Sequence, residues 1–231
     1  MTLSEAHNAF YIEMDKRPIS AAPSFLHDEI DYFINKAYVV LINRKFTGNN
    51  ILKQGFEASP KRTSDLYPLV KRDTLSIAAV GNHSMNEFGF SLSSNVPSGN
   101  EVLIPIASVF RASSSNYFPT VEINHAVVDK FRYSNVNNPW IPVPGVLYED
   151  SMALVYVDTT TLSGISGTGF PMLDLTYIKK PLVMNYTTNP NATFEVDWTD
   201  EIISLAVDFA LDNVESQRIQ THPNVSTNAA E

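Results

Sequence analysis

A chemical site needs groups that converge, and the histidines are the first to weigh. His7, His27, His83, His125 and His222 show none of the HxH, HxxxH or HExxH spacings that would set two imidazoles on one face around a metal. His125 is in phase with Val121, Ile123 and Val127, the pattern of an ordinary strand residue. The chain has no cysteine, so thiol nucleophiles, disulfides and Cys-type zinc or iron–sulfur sites drop out together. In Gly164-Ile165-Ser166-Gly167-Thr168-Gly169 a serine lies among glycines, but Thr168 stands where a nucleophile elbow needs glycine, and the Gly-Lys-Ser/Thr ending of a phosphate loop is missing. A flexible hairpin loop is the better reading. The carboxylate pairs Asp28/Asp31 and Asp208/Asp212 fall on polar helix faces, where solvated charge is the default. The expectation is a protein that is not an enzyme, with no catalytic residue, no cofactor and no metal.

Charge is more informative. The net charge is −9, which disfavours nonspecific affinity for nucleic acid. Between Arg44 and Arg72 there are seven basic residues against two acids, Glu57 and Asp65, a local +5 that leaves −14 for the rest of the chain. Seven acids lie between Glu195 and Glu215 with no Lys or Arg among them. The bland explanation is a solvated loop and a solvated helix face. The functional one is that the basic segment of one copy reaches the acidic surface of another copy or of a neighbouring protein, since complementary charge fixes register and partner choice. The candidate contact residues are Lys53, Lys61, Arg62, Lys71 and Arg72 on the basic side, with Asp208, Asp212, Glu215 and Arg218 on the C-terminal helix.

The elements that carry these residues follow from periodicity. Thr2 and Glu5 fit a capping box for a helix running to about Asp15. Ser24 is placed to cap a second helix, whose apolar residues Leu26, Ile30, Phe33, Ile34, Ala37, Val40 and Leu41 recur at three- and four-residue steps. Residues 48–74 are polar, basic and turn-rich and read as an extended arm. From 75 to 190 the period changes to two, with strands expected at 75–80, 86–92, 102–110, 121–127, 152–157 and 172–178. No helix long enough for a parallel crossover separates them, so the region reads as an antiparallel sandwich or open barrel. Thr199 begins a helix over 198–218 with Ile202, Leu205, Ala206, Phe209 and Ala210 on its apolar stripe, and 219–231 reads as a flexible tail. The plan is α+β, with the N-terminal helical pair of 1–47 and the C-terminal helix packed together and flanking the β region. Nothing in the sequence reads as a leader or a membrane span, and synthesis in a host cytoplasm is expected.

Three stretches carry a family likeness: Pro23-Ser24-Phe25-Leu26-His27-Asp28-Glu29-Ile30-Asp31; Leu173-Asp174-Leu175-Thr176-Tyr177-Ile178-Lys179-Lys180-Pro181, with Asn138-Pro139-Trp140 upstream; and Glu201-Ile202-Ile203-Ser204-Leu205-Ala206 with Asn213 to Arg218 beyond it. In their order the chain resembles the ring proteins of the neck that joins portal to tail in short-tailed, crAss-like phages of gut Bacteroides. No motif between Ser76 and Val128 contributes. The resemblance implies a virion structural protein, a head-to-tail adaptor that forms a ring of about twelve copies by heterologous contacts. It implies the portal protein and adjacent neck and tail rings as partners, with packaged DNA passing through the channel unread and no membrane involved. From a different class, Trp140, Tyr148, Tyr156 and Tyr177 would be the stacking platforms of a carbohydrate-binding β module, although strand aromatics usually pack inward. A head-decoration or tail-tube protein is the nearer alternative.

Overall fold

The N-terminal capping box forms in the computed structural model as its spacing requires. The Thr2 amide donates to Glu5 Oε2 at 2.8 Å and the Glu5 amide to Thr2 Oγ1 at 3.3 Å, and these bonds hold the Glu5 carboxyl below its ordinary pKa. The structure describes residues 1–15, 24–47, 64–77, 87–92, 96, 100–126, 143–149, 152–157, 169 and 171–221, with side chains through 213. The chain divides into two compact units, a helical one made of 1–69 and 181–231 and a β one spanning 70–180.

In the helical unit, α1 (Leu3–Asp15) buries Leu3, Ala6, Phe10 and Met14 on one stripe. Its start is also tied down by distant backbone, because the Leu3 amide donates to the Ala192 carbonyl and the Ser4 amide to the Pro190 carbonyl, two donors the helix itself cannot satisfy. Helix α2 (His27–Thr47) begins two residues later than a Ser24 cap would place it. Glu29 reaches back to the Leu26 amide at 2.8 Å, and the Leu26 carbonyl accepts from Ile30, so a carboxylate at the third helical position replaces the hydroxyl cap. Helix α3 (Thr199–Thr221) buries Ile202, Ile203, Ala206, Val207 and Ala210, and the three helices pack on one another.

In the β unit, β1 (Val70–Ser76), β3 (Val102–Arg111), β4 (Tyr117–Pro119) and β8 (Met172–Lys179) form a sheet in the order β1-β8-β3-β4. The second sheet has the order β2-β7-β6-β5, from β2 (Glu87–Ser91), β5 (Val121–Glu122), β6 (Gly145–Tyr148) and β7 (Met152–Tyr156). Leu75, Phe110, Leu173 and Leu175 from the first meet Phe90, Val146 and Val155 from the second in one core, which makes the unit a β-sandwich. The two seams are both tied. Ile77 bridges to Phe90 at one, and at the other Thr120 crosses between sheets with its amide on the Ser108 carbonyl at 3.1 Å and the Tyr148 hydroxyl on Ser108 Oγ at 2.8 Å. Pro105, which has no amide to donate, sits where β3 slips register against β8. The pairing is antiparallel except for β5 with β6.

Three boundaries differ from the sequence reading. The expected extended arm of 48–74 is folded at its end: Leu66 and Leu69 are buried, and Val70 to Ser76 pair residue for residue with Ile178 to Met172, so long-range pairing overrides the local turn signals. The β unit stops at Lys180, not at 190, because 181–198 is held by α1 and α2. The strand expected at 121–127 ends at Glu122, and His125 stands beyond it, exposed. Residues 48–63, the loop at 164–168 and the tail from 222 lie outside the described residues, as do His83, Trp140 and His222.

Phe110 is fully buried at the centre of the sandwich, so Phe110→Ala should cost about 3 to 5 kcal/mol of the stability of the β unit. Chemical denaturation followed by tryptophan-independent far-UV circular dichroism measures it, and a loss below about 1 kcal/mol would contradict the shared core.

Candidate functional site

The residues singled out for contact come to different ends. Lys53, Lys61 and Arg62 lie outside the described residues. Lys71 and Arg72 stand on the edge strand β1, where neighbouring charges also discourage unwanted edge-to-edge pairing. Asp208 and Asp212 are exposed on α3, and Glu215 and Arg218 continue the same helix. Lys45, part of the same basic run, is taken up internally: its ammonium lies 3.4 Å from Asp65 and 3.0 Å from Glu201, and 4.9 Å from the centre of the Trp198 ring. The Trp198 indole in turn donates to the Asp65 carbonyl at 3.0 Å. One seventh of the basic run therefore fastens α2 to α3 rather than facing a partner.

Arg72 belongs to a charge group that the sequence does not reveal. Asp174, on the central strand β8, is only 8% exposed and accepts from the Thr74 hydroxyl at 2.7 Å. Arg72 approaches it from β1 at 3.7 Å and Arg111 from β3 at 3.6 Å. Arg111 also lies over the Tyr117 ring, 5.1 Å from its centre. Next along β8, the buried Tyr177 hydroxyl donates to Asp73 at 2.6 Å, and burial followed by this bond pushes its phenol pKa above the ordinary value. The period-two pattern identifies the strand, but not which residues of three strands meet across it.

The helical unit brings together two histidines whose spacing carried no signal. His7 of α1 is buried, and its Nε2 lies 2.8 Å from Asp31 Oδ1 on α2. A carboxylate only accepts, so neutral His7 carries its proton on Nε2 and offers Nδ1 to the His27 Nδ1–H at 3.2 Å. Both rings stack on Tyr186, at 4.5 and 4.3 Å, and the Tyr186 amide donates to Asp31 Oδ2 at 2.7 Å. One helical turn on, Asn35 exchanges two 2.8 Å bonds with the backbone of Met184. Asp31 is thus 5% exposed and paired, which corrects its reading as a solvated charge: the partner comes from another helix. Among the described residues no three histidines or carboxylates are placed to hold a metal, and no helix is long and apolar enough to cross a membrane.

Among the described residues the aromatic platform, Tyr148, Tyr156 and Tyr177, does not assemble; Trp140 lies outside them. Tyr177 is 0% exposed in the sandwich core, Tyr148 is half-buried with its hydroxyl on Ser108, and Tyr156 is 2% exposed on the other side of β7, packed with Ile123, Leu147 and Leu154. The family models and the curated proteins with which the chain was compared include none that matches it.

Burial lowers the His7 pKa, with the Asp31 bond opposing it. A depressed imidazole pKa means stability fully present above about 6.5, the unfolded value, and lost as pH falls from there towards the folded value. Urea midpoints at about pH 7.5 and about pH 5.5 should therefore fall more for the native chain than for His7→Asn; equal falls would show that His7 carries no such linkage.

Proposed function

We propose that the protein is a virion structural subunit, a head-to-tail adaptor that assembles into a ring of about twelve copies at the phage neck. The ring links the portal protein to the adjacent neck or tail rings and surrounds the channel through which packaged DNA passes. It acts by contact with itself and its neighbours, not by catalysis.

The observation that carries the reading is the separation of charge between two folded units. The β unit exposes Arg72 on an edge strand with Lys71 half-buried beside it, while the helical unit exposes Asp208 and Asp212 on α3. A closed ring needs two different patches on every copy that fit each other, and opposite charge on separate units meets that need. The likeness of the three sequence stretches to neck ring proteins supports the same conclusion. So does the role of the polar groups between the helices and residues 184–186: buried His7 and Asp31 and half-buried Asn35 make bonds that hold the helical unit together.

Native mass spectrometry and negative-stain microscopy of the full chain, alone and with its portal protein, should give closed rings. Reversal of Lys61, Arg62, Lys71 and Arg72 to Glu should leave the monomer folded and abolish those rings. Intact necks in virions carrying the four reversals would sink the role of the basic segment, and a chain that stays monomeric with and without the portal would sink the ring itself.

A further inference from the structure

We infer that His7 and His27 form a two-histidine clasp for a late first-row divalent metal ion such as zinc, which ties α1 to α2 when bound. The inference concerns the helical unit alone and does not depend on the ring reading.

The two nitrogens that face each other, His7 Nδ1 and His27 Nδ1, are 3.2 Å apart. Zinc bound to imidazole in a tetrahedral shell sets neighbouring ligand nitrogens about 3.3 Å apart. The pair therefore stands at the separation an ion requires, and the ion can take the place of the hydrogen bond by small rotations of the rings. His7 has the right tautomer for this. Its Nε2–H donates to Asp31 Oδ1 at 2.8 Å, which leaves the Nδ1 lone pair towards His27. A carboxylate behind a ligating histidine in this way orients the ring and raises its basicity. The carboxylate is itself fixed, because Asp31 Oδ2 accepts from the Tyr186 amide at 2.7 Å. His27 needs one adjustment, the passage of its proton from Nδ1 to Nε2. Its ring is exposed, so water can relay that proton and no net charge is lost.

The rings are held in place before an ion arrives. Their centres are 5.3 Å apart and lie 4.5 and 4.3 Å from that of Tyr186, so both rest against the same face of the tyrosine, side by side. Such preorganisation lowers the ordering cost of binding. Buried His7 is the anchored ligand, and exposed His27 provides the entry path from solvent. The donor set also selects the ion: neutral imidazoles suit zinc, copper and nickel, whereas magnesium and calcium take oxygen. Among the described residues no third histidine or carboxylate joins the pair, so water completes the shell and the site is weaker than a structural zinc centre with four protein ligands.

Zinc chloride titrated calorimetrically into the untagged, metal-stripped full-length chain should show one site with a Kd below about 100 μM, and magnesium chloride none. His27→Phe keeps a ring against Tyr186 at an exposed position but removes the ligand nitrogen; it should weaken zinc binding at least about tenfold. Zinc should raise the Tm of the native chain and leave that of the variant unchanged. X-ray absorption at the zinc edge should show two imidazole nitrogens in the shell. Circular dichroism checks that the variant folds, and His27→Ala serves if it does not. A native chain that takes up no zinc in this range overturns the inference. So does a His27 variant that loses less than the expected factor, a shell with fewer than two imidazoles, or equal binding of magnesium.

Discussion

The two oxygens of Asp31 hold together parts of the chain that lie far apart in sequence. Oδ1 accepts from His7 on α1 and Oδ2 from the backbone of Tyr186, so one buried carboxylate on α2 fixes both the N-terminal helix and the return of the chain from the β unit. A buried charge of this sort is costly without partners, and every partner here comes from another element. Asn35 repeats the arrangement one turn later on Met184. The segment that follows then closes the start of α1, through the carbonyls of Pro190 and Ala192. The helical unit is therefore built from both ends of the chain. The β unit is carried on the two crossings at 69/70 and 180/181, and the polar bonds around Asp31 define where the second crossing ends.

The β unit solves a different problem, that of two sheets whose edges would otherwise stay open. Its seams are tied by Ile77 against Phe90 and by the hydroxyls of Ser108, Thr120 and Tyr148. Short or charged edges do the rest: β4 and β5 are three and two residues long, and β1 carries Lys71, Arg72 and Asp73. Of these charges Arg72 stays mostly in solvent, while Lys71 and Asp73 are half-buried.

Basic residues that look alike in the sequence are divided by the fold into three classes. Lys45 fastens α2 to α3 through Asp65, Glu201 and Trp198. Arg111 is largely covered and lies against Asp174 and Tyr117. Arg72 is left mostly in solvent although it touches the same carboxylate. Exposed pairs contribute little to stability, so the contact of Arg72 with Asp174 adds little to the sheet.

Much of the architecture was legible in the sequence because it depends on local chemistry. The capping box of Thr2 and Glu5, the apolar stripes of α1, α2 and α3, and the alternation of β3, β7 and β8 all follow from spacing within one segment, and together they specify an α+β chain with helices at both ends. What the tertiary structure alone decided is which distant groups meet. Nothing within Asp28 to Asp31 says that one carboxylate will be solvated and the other buried against His7, and nothing in 64–74 says that a turn-rich basic stretch will end as a strand on β8. Those outcomes depend on partners 24 and about 100 residues away, brought close by burial of apolar faces that does not itself discriminate among polar neighbours. Local periodicity determines the elements; the pairing of polar groups between them is a property of the packed chain.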